Sequence, residues 1–299
     1  MTLTFAFCLL DFELIFMFIR LQQFAGTFYP DEPLILKKMV EGYLHQATVE
    51  KLKVQPKALI IPHAGYIYSG KIAAYGFKTL ENKAYEKIIL LGPSHHFSFE
   101  GLASSPSGYW ETPLGKIECL GKEDLKELKK TKKNIESPEI HEPEHCLEVE
   151  IPFLQIVLKN FKILPLLTGE LNIKTMANVL ELLIDEKTLI LVSSDLSHYL
   201  SYNQAKMVDK VTIDAILSND IQRFDKYGDA CGKSSIKILL NIAKKRHWKP
   251  KLLCAMNSGE TSGDIHLRQG RRRSKALATE RFGGQESQVV GYASIAYYE

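Results

Sequence analysis

IPHAGYIYSG (Ile61–Gly70), LLGPSHH (Leu90–His96) and TLILVSSDLSH (Thr188–His198) share one design: an apolar, β-rich run ends and a histidine follows close behind. Short apolar runs bounded by Gly, Pro and Ser read as buried strands. In open α/β sheets, chemistry collects beyond the carboxyl ends of such strands. His63, His95 and His198 are therefore expected on one edge of one sheet, and convergence of that kind points to a metal site.

Working outward, Leu34–His45 has helical apolar spacing and Ala58–Pro62 reads as a strand. Lys71–Leu80 reads as a crossover helix leading to a strand at Lys87–Leu91, a β-α-β unit of the length a parallel connection needs. Gly101–Ile117, rich in Gly, Ser and Pro around Tyr109 and Trp110, reads as loop and short antiparallel strand, placed to cover the site. The lysine-rich Lys122–Lys133 reads as a solvated face. An amphipathic helix over Glu148–Asn160, a strand over Lys162–Leu167 and a helix over Ile173–Leu183 lead into the third histidine-bearing strand. Further helices follow at Asn203–Leu217 and after Cys231–Gly232, and QVVGYASIAYY closes the sheet. The fold class is α/β: a single domain with a central, mostly parallel or mixed sheet flanked by helices.

Composition supports a full core, with 45% hydrophobic residues in 299. The 38 basic against 35 acidic residues are too balanced for a nucleic-acid-binding surface over the whole molecule. Cys8, Cys119, Cys146, Cys231 and Cys254 form no C-x-x-C pair and no disulfide framework, so the expected compartment is the cytoplasm. Leu3–Ile19 is apolar but carries Asp11 and Glu13 and lacks a basic region before it, which speaks against a membrane span or a secretory signal. Residues 1–23 read as an apolar extension, with Met17 as the expected native start, and 24–299 as one domain.

Small neighbours leave backbone room around His63. Adjacent side chains leave an extended segment on opposite sides, so of His95 and His96 one faces the pocket, and His95 lies nearer the strand end. Cys231 sits before a helix, where the helix dipole lowers a thiol's pKa. Two imidazoles and a thiolate suit iron, copper or zinc better than magnesium or calcium and leave coordination positions open. Asp195 and His198 could pair for proton transfer, or Asp195 could cap a helix. In HEPEHCLEVEIP, His145, Glu148 and Glu150 could reach the pocket or simply begin a helix. GDACGKS at Gly228–Ser234 has three residues between its glycines where a phosphate loop needs four, so no nucleotide site is expected.

PHAGYIYSG, LGPSHH, HEPEHCLEVEIPFLQ, VSSDLSHY, ACGKSSI and VVGYAS, in this order, resemble the Memo-like family, the B-protein type of the AmmeMemoRadiSam system. The resemblance runs from AGTFYP at Ala25 to the C-terminus and implies a fold like that of the class III extradiol non-haem iron dioxygenases. It implies His63, His95 and Cys231 as metal ligands, with Asp195 and His198 as pocket residues and His145 nearby. Those dioxygenases use a carboxylate as third ligand, and the sulfur here departs from that pattern. By the same resemblance, an AMMECR1-like protein and a radical S-adenosylmethionine protein are pathway associates. The apolar residues 1–16 have no counterpart in the family, and neither does the basic insertion Ile265–Glu286 with Arg271–Arg273.

The reading that uses the most residues is a non-haem metal-dependent oxidoreductase, with iron(II) first, copper second and zinc third. In it, His198 is the acid–base group, Asp195 orients it, and His145 stands by. A metal-free Cys231 hydrolase would leave His63 and His95 idle. A third reading is a module that binds a peptide or partner in the same pocket without turnover. No membrane and no nucleic acid is expected as partner, and the substrate is unnamed.

Overall fold

Side chains alternate faces along a strand, and in the central strands both alternating sets are apolar, so the sheet has to be covered on both sides. The computed structural model describes residues 19–50, 54–121, 125–131, 133–261 and 288–299. In chain order the strands are β1 (Ile19–Arg20), β2 (Ala58–Ile61), β3 (Lys87–Pro93), β4 (Leu102–Ser104), β5 (Tyr109–Thr112), β6 (Gly115–Glu118), β7 (Asn134–Glu136), β8 (Lys162–Thr168), β9 (Thr188–Ser193), β10 (His198–Ser201), β11 (Lys249–Asn257) and β12 (Gln288–Tyr298). The helices are α1 (Pro33–Gln46), α2 (Tyr66–Lys78), α3 (Lys126–Lys130), α4 (Pro138–His141), α5 (Ile151–Val157), α6 (Ile173–Glu181), α7 (Tyr202–Leu217), α8 (Ile221–Tyr227) and α9 (Lys233–Lys245).

The main sheet runs β10-β12-β2-β9-β3-β8-β4-β7, with β11 also on β12. β2, β9, β3 and β8 are mutually parallel, while β12 joins β2 and β4 joins β8 in antiparallel sense. Leu59, Ile88, Leu90 and Leu191 pack with α1, α2 and α5 through Leu36, Val40, Phe77 and Phe153. Ile60, Ile89, Leu91 and Ile190 pack on the other face with α6 to α9 through Leu180, Ile216, Phe224 and Leu239. Burying each such side chain contributes about 1.5–3 kcal/mol. This is the single-domain α/β architecture, a mixed sheet between helices, that the sequence predicts. No helix among the described residues is long and apolar enough to cross a membrane.

Four details differ from the sequence reading. β9 lies between β2 and β3, so the crossover through α2 skips a position. α2 begins at Tyr66 rather than Lys71, directly after Gly65, and buries Tyr66, Ser69 and Gly70 in its first turns. The helix expected over Glu148–Asn160 is a 3-10 turn at Glu148–Glu150 followed by α5, which ends where Leu158 turns extended. The segment around Trp110 does not cover the site: β5 pairs with β1, and the indole is buried beneath the Arg20 guanidinium, 4.2 Å from the ring centre.

The described residues include 19–23, which the sequence reading places in the apolar extension. Arg20 is 2% exposed and forms an ion pair with Glu148 at 2.5 Å, and it donates to the carbonyls of His141, Glu142 and Glu144. Residues 1–18, with the expected start at Met17, and the basic insertion at 265–286 lie outside the described residues.

Candidate metal centre

Parallel register brings the strand ends level. Ile61 of β2 pairs with Ser193 of β9, and β3 runs alongside β9, so His63, His95 and Asp195 each follow a strand terminus on one edge. Two further segments reach that edge. The turn at Glu144–Cys146 packs beneath Gly92 so closely that a Cβ at this glycine would lie 2.5 Å from Cys146 Sγ. The entry to α9 brings Cys231 in, with Gly232 N–H donating to Ser194 Oγ at 2.9 Å. A Cβ on Gly232 would lie 2.7 Å from that of Ser194.

The ligand atoms of His63, His95 and His145 all lie within 4.8 Å of one another, an arrangement that could hold a metal ion. Ring centroids are 5.3 Å apart for His63–His95 and for His63–His145, and 4.9 Å for His95–His145. Cys231 Sγ adjoins this group at 3.2 Å from His63 Nε2. His145, expected from the sequence as a nearby pocket residue, thus shares the cluster with His63 and His95, while Cys231 flanks it through His63. A second group, His95, Glu144 and Cys146, also satisfies the spacing for an ion.

Each of the first two imidazoles is turned by a hydrogen bond at Nδ1. His63 Nδ1 is 2.8 Å from Ser193 Oγ. His95 Nδ1 is 2.9 Å from Glu144 Oε1, and the His95 backbone N–H donates to Glu144 Oε2 at 2.7 Å. In both rings Nε2 is then the nitrogen available to a cation, the usual way a protein fixes a metal-binding imidazole. Glu144 also accepts from Cys146 N–H at 3.1 Å and lies 3.3 Å from His145 Nδ1.

The electrostatics follow from this burial and bonding. Burial pushes His63 down to about 3, with the charge of His95 adding to it, and burial pushes His145 down to about 3 as well. Burial would raise Glu144, but the bonds from His95 and from Cys146 N–H hold it down at about 2. Burial also opposes charge on His95, yet the bond and charge of Glu144 outweigh it and leave His95 raised. The site therefore presents two imidazoles held neutral, His63 and His145, beside a His95–Glu144 pair whose carboxylate stays ionised.

Asp195 accepts from the His63 backbone N–H at 2.8 Å, and burial raises it to about 6. It braces the loop that carries His63. Among the described residues no hydrogen bond joins Asp195 to His198, which lies partly exposed on β10 against Tyr199. The thiol of Cys231 is raised to about 12 by burial and by the charge of Asp195, the reverse of the lowering expected at a helix start. Its neighbouring imidazole is His63. Glu148 faces away from the centre, accepting from Arg20, Tyr29 Oη and the backbone of Gln23 and Phe24. Glu144, Ser193 and Arg20 went unread in the sequence; only the position of Glu144 directly before His145 signals its part.

Fold and site together define an α/β protein with an imidazole-rich sheet edge that could hold a metal ion. The Memo-like protein family model matches residues 20–296. The MEMO1 family protein of Thermoplasma volcanium is 34% identical over 287 residues, covering 93% of this chain and 97% of that protein. The MEMO1 family protein of Aquifex aeolicus is 38% identical over 259 residues, covering 83% and 95%. That of Nitrosopumilus maritimus is 33% identical over 295 residues, covering 93% and 99%. The chain belongs to the Memo-like family.

Proposed function

We propose that this protein is a metal-dependent oxidoreductase whose centre holds iron(II), or in second place copper, through His63, His95 and Cys231, with His145 as a further imidazole. The observation that carries the reading is the cluster of three imidazoles within 4.8 Å, two of them with Nδ1 already engaged. Imidazole nitrogens beside a thiol are donors for redox-active first-row metals and poor ones for magnesium or calcium. Such an ion, when bound, supplies Lewis acidity and electron transfer toward a small molecule in its open positions. Zinc fits the same donors and ranks third.

The chain's own residues have distinct parts. Glu144 fixes His95, Ser193 fixes His63, and Asp195 holds the His63 loop at the strand end. His198, at the partly exposed rim, is placed to exchange a proton with solvent or substrate. The substrate is a small molecule or peptide reaching the edge from solvent. The associates are an AMMECR1-like and a radical S-adenosylmethionine protein, and the compartment is the cytoplasm, in keeping with free thiols at Cys119, Cys146, Cys231 and Cys254.

Metal analysis of protein purified anaerobically tests the reading. Iron is expected to dominate in the wild type and to be lost in His63→Ala and His95→Ala variants that keep their circular dichroism. Full metal occupancy in His63→Ala would overturn it. A chelator-resistant activity abolished by alkylation would instead favour Cys231 as a nucleophile.

A further inference from the structure

We infer that Glu150 is a buried, neutral carboxylic acid that donates to Ser193, and that Ser193, its own hydrogen committed to the Cys146 carbonyl, is the positioning residue that holds His63 in the Nδ1–H tautomer and offers its Nε2 lone pair to the centre. Its bearing on metal affinity rests on the reading above; the tautomer lock itself does not.

A count of hydrogens carries the argument. Ser193 Oγ has three close polar neighbours: the Cys146 carbonyl at 2.7 Å, Glu150 Oε1 at 2.8 Å and His63 Nδ1 at 2.8 Å. A hydroxyl has one hydrogen to give and two lone pairs to receive with. The carbonyl can only accept, and among the described residues no backbone N–H reaches it. A buried carbonyl left unpaired is costly, so the Ser193 hydrogen belongs to Cys146. The other two neighbours must then both donate. That requires a hydrogen on Glu150 Oε1 and a hydrogen on His63 Nδ1.

The surroundings agree. Glu150 is 1% exposed, and its pKa is raised well above the carboxylate range by burial, with the nearby charge of Asp195 adding to that. An ionised Glu150 would compete for the Ser193 hydrogen, leave the Cys146 carbonyl facing a lone pair, and put a second negative charge into a desolvated site near Asp195. Glu150 and Glu144 thus play opposite parts. The ionised carboxylate sits directly on His95, whereas the neutral acid sits one hydroxyl away from His63.

Three measurements on the full chain test this. Infrared difference spectra between wild type and Glu150→Gln at neutral pH should lose a protonated-acid carbonyl band; loss of carboxylate bands instead would overturn the proposal. Nitrogen-15 NMR of the histidines in metal-free protein should show His63 as the Nδ1–H tautomer in the wild type. It should show a mixed or Nε2–H population in Ser193→Ala, and an unchanged tautomer there would overturn the lock. Glu150→Gln, which keeps an N–H donor to Ser193, should keep the wild-type tautomer, and Ser193→Thr, which keeps the hydroxyl, checks that Ser193→Ala fails by losing the bond rather than the fold. Titration with Co(II) should then weaken by about 10–100-fold in Ser193→Ala and stay near wild type in Glu150→Gln. A wild type that does not bind Co(II) at all would remove the metal reading while leaving the infrared and tautomer results to judge the lock.

Discussion

At the scale of single residues, the geometry of the candidate centre rests on side chains beyond its three imidazoles. Glu144 is 2% exposed, engages the ring and backbone of His95 together, and also receives the Cys146 N–H. Replacing it by Gln keeps an acceptor of the same shape and removes the charge. We expect Glu144→Gln to fold and to bind Co(II) about 10–100-fold more weakly; titration giving the wild-type affinity would show that the charge contributes nothing. His141 provides a pH test away from the candidate ligands. Its Nε2 donates to the Ala103 carbonyl at 3.0 Å, and burial lowers its pKa from 6.5 to about 4. The unfolded chain takes up this proton below about pH 6.5 and the folded chain does not until about pH 4, so stability falls as the pH drops between them, by up to roughly 3 kcal/mol. Urea unfolding at several pH values should show the slope, and His141→Gln should flatten it. His63 and His95 were legible because each follows an apolar run by a residue or two, whereas His145, in HEPEHC, follows none and was legible only as a pocket neighbour. The residues that orient them were not, because Glu144 and Ser193 act across 49 and 130 positions of sequence, where no local pattern records the pairing.

At the scale of elements, strands were read more accurately than helix starts. β2, β3, β8 and β9 are short apolar runs between turn residues, and their period shows in the letters. α2 was placed too late because GYIYSG carries glycine and tyrosine, which read as loop until the neighbouring α1 and α5 give those rings a surface to pack on. The two-residue strand β1 has no readable period. Its importance lies in Arg20, which ties it to the turn bearing Glu144 and His145 through three carbonyls and the Glu148 carboxylate. Arg20→Met leaves Glu148 buried with neutral donors alone, and removing one partner of such a pair costs about 3–5 kcal/mol. Chemical denaturation should show this loss, with part of it recovered in Arg20→Met/Glu148→Gln; additive effects in the double variant would mean the two groups are not coupled.

At the scale of the whole molecule, the sheet assembles a centre from His63, His95, His145 and Cys231, which no unfolded chain holds together. An ion bound there stabilises the folded state alone, so saturating metal should raise the thermal midpoint, and a hundredfold excess over Kd adds about 2.7 kcal/mol. Calorimetry with and without chelator checks this, and His63→Ala should abolish the difference. The overall architecture was legible because alternating strands and helices of this length leave few packings; the strand order was not, since nothing local in β9 records that it pairs with both β2 and β3. β12 makes a related demand, for it pairs with β2, β10 and β11 although it follows all of them in sequence. A chain emerging from the ribosome therefore displays His63 and His95 long before the strand beside β2 has been synthesised. An ion held as proposed would accordingly be taken up after release from the ribosome, in competition with whatever other ions the cell supplies.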